Sequence, residues 1–169
     1  MELTTDQKGA IAELAIARAG LELGIPVYRA MAEGGRYDLI FDLDSRLVRV
    51  QCKWASRYGE VMIVRCHRAR RNRDGLLTRR YTSDEIDAFA AYCAAVDRCY
   101  YLPMTKFEGY RSIQLRIGPA RNNQNARVNW AKDFEFAATL GPSGAVAQLG
   151  ERPDGIRKVR GSIPLGSTL

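Results

Sequence analysis

The sequence predicts an α/β fold in which helices flank a central mixed β-sheet. A helical pattern over residues 7–23 comes first. Two strand-like runs, 37–43 and 47–54, follow with only a short turn between them, which predicts a β-hairpin. Shorter apolar runs continue to residue 117. A chain of 169 residues is long enough for one such domain with a buried core, with or without an appendage.

The first helix has clear boundary signals and one unusual residue. Thr4-Thr5-Asp6 offers an N-cap, and Gly24-Ile25-Pro26 ends the helix. On a helical wheel Glu13 falls on the apolar side. Three interpretations stay open: Glu13 is a partner for a buried arginine, it lies at the edge of the core with its carboxylate in water, or it points at a functional site on the hairpin.

The hairpin is the most informative stretch of the chain. Residues 47–54 alternate strictly between two faces, as in a half-buried strand. A turn centred between Asp44 and Ser45 pairs residues whose numbers sum to 89. Asp38 then faces Gln51, with Cβ atoms about 5 Å apart, and Lys53 lies further along the same face. We call Asp38, Gln51 and Lys53 the polar patch.

The remaining elements are shorter, and for one of them the type stays open. Residues 86–95 are apolar enough to be buried, but periodicity does not decide between helix and strand. Residues 128–138 predict a closing helix with Trp130 and Phe134 directed inward. Short strands are predicted at 27–30, 61–66, 99–102 and 112–117.

The net charge of +7 is unevenly distributed. Residues 46–80 hold eleven lysines or arginines against two acidic residues, a net +9, whereas the rest of the chain carries −2. Such clustering favours binding of a polyanion over a merely solvated surface, and ten arginines among the eleven favour phosphate recognition.

Residues 65–80 are therefore predicted to form an exposed basic arm that contacts a polyanion, such as DNA. The candidate DNA-binding residues are Arg65, Arg68, Arg70, Arg71, Arg73, Arg79 and Arg80, together with the late amides Asn122, Asn123 and Gln124, which could read bases.

Composition disfavours several other classes of protein. No apolar run approaches the roughly 20 residues that span a bilayer, and the N-terminus lacks the features of a signal peptide. We expect a cytoplasmic protein that does not bind membranes. The four cysteines form no Cys-x-x-Cys pair and only one histidine is present, which predicts reduced thiols and no zinc site.

The polar patch has the groups needed for phosphodiester hydrolysis. That reaction needs a hard divalent cation, a positioned water, and positive charge near phosphorus. Asp38 and Glu13 could supply carboxylate ligands, and Gln51 and Cys52 could supply amide and carbonyl oxygens. Lys53 could orient the water or offset charge in the transition state. The same residues could also form an ordinary cross-strand polar set.

At these residues the chain resembles a known family. Asp38 followed by Gln51-Cys52-Lys53, with Glu13 on the preceding helix, resembles the PD-(D/E)XK nuclease superfamily. The Gln-x-Lys form resembles its group I intron-encoded homing endonucleases. The resemblance covers about residues 5–137. Its supporting elements are Gly9 to Glu13, Tyr37-Asp38, Asp87-x-Phe89-Ala90-x-Tyr92, Tyr100-Tyr101-x-Pro103 and Asn122-Asn123-Gln124.

Two residues depart from the superfamily pattern. Tyr37 replaces its proline, which is no ligand, and Gln51 replaces an acid, which removes one negative charge. The resemblance implies a restriction-endonuclease-like αβββαβ core and Mg²⁺ (or Mn²⁺) as cofactor. It also implies cleavage of double-stranded DNA at a long target site and assembly into a homodimer or homotetramer.

Two rival functions remain at this point. One is a Holliday-junction resolvase or restriction-like nuclease on the same core. The other is a catalytically silent DNA-binding module in which the arm binds DNA and the polar patch is structural.

The chain divides into a nuclease domain at 1–140, with the arm at 65–80, and a tail at 141–169. Residues 145–169 have four glycines, two prolines and no aromatic residue, which predicts an irregular or disordered segment. The tail resembles a conceptual translation of a transfer-RNA gene. Residues 147–152 can be back-translated to a D-arm and 161–164 to a T-loop, among many other back-translations.

Ending the chain after Gly141 should leave the melting temperature and any cleavage activity unchanged, because the tail is predicted to contribute nothing to the core. Thermal unfolding of the full and shortened chains measures this. Unfolding of the shortened protein would show that the tail is part of the fold.

Overall fold

The computed structural model describes residues 2–31, 34–44, 46–72, 75–119 and 128–141. Its elements are helix α1 (Thr5–Glu22), strands β1 (Val27–Arg29), β2 (Leu39–Leu43), β3 (Arg46–Tyr58), β4 (Val61–Arg65), β5 (His67–Asn72), β6 (Gly75–Arg80), β7 (Ala88–Cys93) and β8 (Arg98–Pro103), helix α2 (Met104–Phe107), strand β9 (Ser112–Arg116), a 3₁₀ helix (Ala131–Phe134) and helix α3 (Phe136–Leu140). Within these ranges, no helix is both long and apolar enough to cross a membrane.

Helix α1 begins and ends within two residues of its predicted bounds. Thr4 caps it, and the Gln7 side chain completes a capping box. The buried side of the helix is formed by Ala12, Ile16 and Gly20. The helical wheel places Leu21 on the inner side, but Leu21 is exposed. Two of these residues, Ala12 and Gly20, are small and let the helix approach the sheet closely on either side of Ile16, and this leaves the larger Leu21 on the outer side.

The hairpin has the predicted register. Strand β2 pairs antiparallel with β3, with Leu39 opposite Val50 and Leu43 opposite Arg46, so paired numbers sum to 89. Asp44 in the turn has a φ of 46°, a left-handed conformation that aspartate tolerates better than most residues. Since a slip of one residue would move every side chain to the other face, this register determines the composition of the polar patch.

Strand β3 is the hub of a seven-stranded mixed sheet. Its residues 46–50 pair with β2, residues 50–54 pair in parallel with β7, and residues 55–58 pair antiparallel with β4. Strand β9 extends the sheet beside β4, and β8 lies beside β7. The expected α/β class with a mixed sheet is therefore confirmed.

Strand β7 resolves the ambiguity of residues 86–95. Its even-numbered residues Ala88 and Ala90 pack in the apolar layer under α1, whereas Phe89 and Ala91 pack in the layer on the opposite face of the sheet. A strand buried on both faces has no alternation of polar and apolar residues, which is why its periodicity is uninformative.

The basic arm is a β-ribbon. Strands β5 and β6 pair antiparallel in a two-stranded sheet of their own, from His67 opposite Arg80 at the base to Asn72 opposite Gly75 near the tip. The ribbon takes up most of the connection from β4 to β7.

The predicted closing helix over 128–138 is wrong. The chain forms the 3₁₀ helix and then α3, separated at Glu135, whose backbone bridges to Tyr100 in β8. Phe134 is buried as expected, whereas Trp130 is half-buried. The predicted base-reading amides at 122–124, Arg73 and the tail at 142–169 lie outside the described residues.

Candidate active site

Asp38 lies where strand β2 begins to pair with β3. Its backbone N–H donates to the Val50 carbonyl at 3.0 Å. Its carboxylate oxygen Oδ2 accepts the backbone N–H of Cys52 at 2.8 Å and a hydrogen bond from Nε2 of Gln51. At the residue where the ladder between β2 and β3 ends, the Asp38 side chain therefore accepts the hydrogen bond that a backbone carbonyl would otherwise accept.

The same geometry places the Cys52 carbonyl near Asp38. In a strand, the N–H and C=O of one residue point to the same edge. Because the Cys52 N–H points to Asp38, the Cys52 carbonyl faces that edge as well. Gln51 donates through Nε2, which leaves its amide oxygen as the atom available to a cation. Three oxygen atoms thus lie near one another. The predicted register accounts for the meeting of Asp38 and Gln51, and the roles of all three atoms remain predictions.

The electrostatics of Asp38 are set mainly by burial. Desolvation raises the pKa of the Asp38 carboxyl, and it outweighs the opposing effects of the Cys52 N–H, the Lys53 charge and the Gln51 amide. Because burial destabilises the charged form of the carboxyl group, a cation placed beside it stabilises that form. Asp38 is therefore suited to hold a metal ion.

Lys53 is the third member of the polar patch, and the residue is half-buried. Burial lowers the pKa of Lys53, while the Asp38 carboxylate partly opposes the shift. The Nζ atom lies 3.5 Å from the His67 carbonyl oxygen and 4.9 Å from the ring centroid of Tyr81. Both groups lie at the base of the arm, His67 at the start of β5 and Tyr81 directly after β6.

Glu13 has an arginine partner. Its Oε2 atom forms an ion pair with Nη2 of Arg29 on β1 at 3.3 Å, which agrees with the expectation of an arginine partner, although Arg29 is exposed rather than buried. Burial, and then the Asp38 and Glu13 carboxylates, raise the pKa of the Cys52 thiol. Both carboxylates therefore act on the same residue.

The donor set fits a hard divalent cation. In the described part of the chain, no three His, Cys, Asp or Glu residues are grouped so that they could hold a metal. Magnesium, however, is commonly bound by one or two carboxylates and completes its shell with water and substrate phosphates. Asp38, the Gln51 amide oxygen and the Cys52 carbonyl match that pattern. The Cys52 thiol, with its pKa raised, stays protonated and is no thiolate ligand.

The predicted DNA-binding arginines have different surroundings. Arg79 forms an ion pair with the buried Glu85 at 2.5 Å, and Arg80 donates to the Gly109 carbonyl at 3.2 Å. Arg68 is exposed, and its charge counteracts the raised pKa of Asp38. Arg65 is also exposed. The structure does not describe the side chains of Arg70 and Arg71.

A separate cavity lies away from the polar patch. A cleft of about 450 Å³ lies between the N-terminal end of α1 and strands β3 and β4, with Lys8, Trp54, Tyr58 and Arg65 among its lining residues. None of the described residues that line it is acidic, and Trp54 and Tyr58 belong to the face of β3 opposite Gln51 and Lys53. The cleft therefore does not compete with the polar patch as a site of metal chemistry.

Sequence reasoning missed two features of the site. Tyr81 precedes residues that are typical of a helix cap, and nothing in its spacing indicates that its ring meets Lys53 across the base of the arm. Arg49 is held by Asp87, which accepts its backbone N–H at 2.8 Å and its side-chain N–H groups at 3.0 Å. This pair ties β3 to the start of β7 beside the polar patch.

Comparison with known proteins points to nucleases. The sequence profile of a family described as PD-(D/E)XK endonuclease matches residues 3–137. No curated protein matches the chain significantly. Among solved structures, the fold is similar to that of the bacterial homing endonuclease I-Ssp6803I, with a TM-score of 0.67 and 24% identity. The match covers 89% of this chain and 99% of that one.

Replacing Gln51 by glutamate tests the hydrogen bond to Asp38. Gln51 is only 8% exposed, so Gln51→Glu places two carboxylates together with little water. We expect the free energy of unfolding to fall by about 1–3 kcal/mol at pH 8 in EDTA. The like-charge pair has a raised pKa in the folded state, so the loss should shrink as the pH is lowered and the pair binds a proton.

Urea unfolding at pH 8 and pH 5 measures this loss. Gln114→Glu, on the exposed side of β9, is the matched control and should change stability by no more than about 0.5 kcal/mol. Equal stability of the two variants at pH 8 would show that the hydrogen bond from Gln51 to Asp38 does not stabilise the fold.

Proposed function

The chain belongs to the PD-(D/E)XK endonuclease family, and on that basis we propose that it is a metal-dependent, site-specific endonuclease that hydrolyses double-stranded DNA. The observation that carries the proposal is the convergence of Asp38, the Gln51 amide and the Cys52 backbone at the point where β2 leaves β3. Lys53 and the basic arm lie directly beside them.

We assign the catalytic roles on the basis of these contacts. Asp38, the Gln51 amide oxygen and the Cys52 carbonyl would hold a divalent cation such as Mg²⁺ or Mn²⁺, with Glu13 contributing directly or through water. A bound cation of this kind supplies a Lewis acid for the phosphoryl oxygen and favours deprotonation of a bound water. Members of the family generally use divalent metal ions.

Lys53 would act on the reacting phosphate itself. Its ammonium lies in a half-buried position, where a charge is less screened than at the surface. It can orient the attacking water, or it can offset the negative charge that develops as the water oxygen bonds to phosphorus and the leaving oxygen departs. Both roles require Lys53 to face the same group as the cation.

The homing type is the form of nuclease that the residues favour. The Gln-x-Lys sequence at Gln51 and Lys53 resembles group I intron-encoded homing endonucleases, and the similarity in fold to a bacterial homing endonuclease agrees with it. A DNA target too long for one small domain also favours assembly into a homodimer or homotetramer.

Incubation with Mg²⁺ and three kinds of DNA tests the proposed function. The substrates are plasmids with a candidate insertion site, plasmids without one, and a four-way junction. Cleavage of the first alone supports the homing type. Cleavage of the junction regardless of sequence indicates a resolvase, cleavage at short palindromes a restriction-like nuclease, and binding without cleavage across divalent metals a silent module.

Substituting the two charged residues of the polar patch should remove cleavage but not binding. We expect Asp38→Ala and Lys53→Ala each to lower the single-turnover rate by about 10³-fold, the scale on which loss of one group that stabilises transition-state charge acts. DNA affinity, measured by fluorescence anisotropy in EDTA, should stay close to that of the unmodified protein.

Asp42→Ala is the control for these variants, since Asp42 is an aspartate within β2, four residues after Asp38. It should cleave normally. Loss of folding in both patch variants, or normal cleavage by either, would remove the polar patch from the chemistry.

The arm should account for much of the salt-dependent affinity. Changing Arg70, Arg71 and Arg73 to alanine should weaken binding and lower the slope of log K against log salt by about 1 for each phosphate that an arginine no longer neutralises. The control removes three charges outside the arm, at Arg18, Arg98 and Lys132, and should leave the slope unchanged. Equal slopes for the two triple variants would show that the arm does not bind phosphates.

A further inference from the structure

Tyr81 follows directly after β6, and the face of its ring meets the Lys53 ammonium. The Nζ atom lies 4.9 Å from the ring centroid, within the range of a cation–π interaction. The orientation of the ring is itself determined by Phe89, which packs edge-to-face against it with centroids 5.6 Å apart. A ring supported in this way from the core presents a defined face to Lys53.

The other contact of the ammonium comes from the opposite strand of the arm. The His67 carbonyl oxygen lies 3.5 Å from Nζ. His67 pairs with Arg80, the residue that precedes Tyr81. The two groups that contact Lys53 are therefore held together by the first pair of the ribbon.

We propose that Tyr81 is a positioning residue for Lys53, acting with the His67 carbonyl so that the base of the arm holds the lysine at the polar patch. The inference rests on the proposed role of Lys53 in hydrolysis. A lysine side chain has four flexible carbons, and restricting it to one orientation before the reaction removes an entropic cost from the chemical step.

An aromatic face suits this task better than a second carboxylate would. The ring attracts the ammonium without neutralising it, so the charge stays available to the substrate. The other polar or charged groups around the ammonium are Asp38, which attracts it, the thiols Cys52 and Cys66, and Arg68, which repels it. Tyr81 and His67 thus hold Lys53 while leaving Asp38 free to bind a cation.

The position of Lys53 can be measured in the protein without DNA or metal. In the spectrum of protein labelled with ¹³C at lysine Cε, protons over an aromatic face are shifted upfield. Lys53→Arg identifies the Lys53 signal. We expect Tyr81→Phe to keep the shift and Tyr81→Met, which fills the space without a ring, to lose it. Lys106 lies over the rings of Phe107 and Phe134, so its signal should be shifted in every variant and serves as an internal control.

The cleavage rate then tests whether hydrolysis depends on the position of Lys53. At saturating DNA, Tyr81→Met should lower the single-turnover rate by about 10- to 100-fold, the scale of a small misplacement of a reacting group. The dissociation constant for DNA should not change. Tyr81→Phe should restore both the rate and the shift of the Lys53 signal. Tyr81→Leu is a second variant without the ring, and it replaces Tyr81→Met in the comparison if Tyr81→Met fails to fold.

The outcomes separate this proposal from the proposed function. Normal cleavage by Lys53→Ala would overturn the role of Lys53, and the positioning role with it. If Lys53→Ala is inactive but a folded ring-free variant cleaves at the normal rate, the positioning role alone is wrong. The same conclusion follows if the Lys53 signal is not shifted in the unmodified protein, or if Tyr81→Phe is as slow as Tyr81→Met.

Discussion

One carboxylate oxygen, Oδ2 of Asp38, holds the candidate site together. It accepts the Cys52 backbone N–H and the Gln51 amide at the place where the ladder between β2 and β3 ends. Without it, a backbone donor on a largely buried strand would lack a partner, which costs about 1–3 kcal/mol. The interaction that stabilises the end of the ladder therefore also aligns the oxygen atoms that we propose as cation ligands. Structure and proposed chemistry depend on the same atom.

The rigidity of this arrangement comes from the two apolar layers on either face of the sheet. Val48, Val50 and Cys52 pack in the layer under α1, and Phe89 and Ala91 of the neighbouring strand pack in the other. Strand β3 is thus packed under α1 on one face and paired along its edge with β7, which is itself buried on both faces, and the Arg49–Asp87 pair ties the two strands together. Gln51 and Lys53 extend from a backbone that has little freedom to move, which is the condition for a preorganised site.

The features that the sequence predicted well depend on local physics. The register that pairs Leu39 with Val50, next to the point where the Asp38 and Gln51 side chains meet, follows from alternation and a short turn. The bounds of α1 follow from its cap and its terminal Gly-Ile-Pro. The features that it did not predict depend on contacts between distant residues. Strand β7 lacks alternation because both of its faces are buried. Glu135 interrupts the last helix through a bridge to Tyr100. Tyr81 contacts Lys53 because the strands of the arm pair with each other down to its base. The binding and catalytic roles of the site residues remain predictions.

The arm forms its own two-stranded sheet, paired from His67 and Arg80 at the base to Asn72 and Gly75 near the tip. Adding one residue to each strand lengthens such a ribbon by about 3.4 Å, and adding two also restores the original facing of every side chain. Insertions of two residues in each strand would therefore lengthen the arm by about 7 Å without changing which side chains share a face, while the pair of His67 and Arg80 next to Lys53 stays in register.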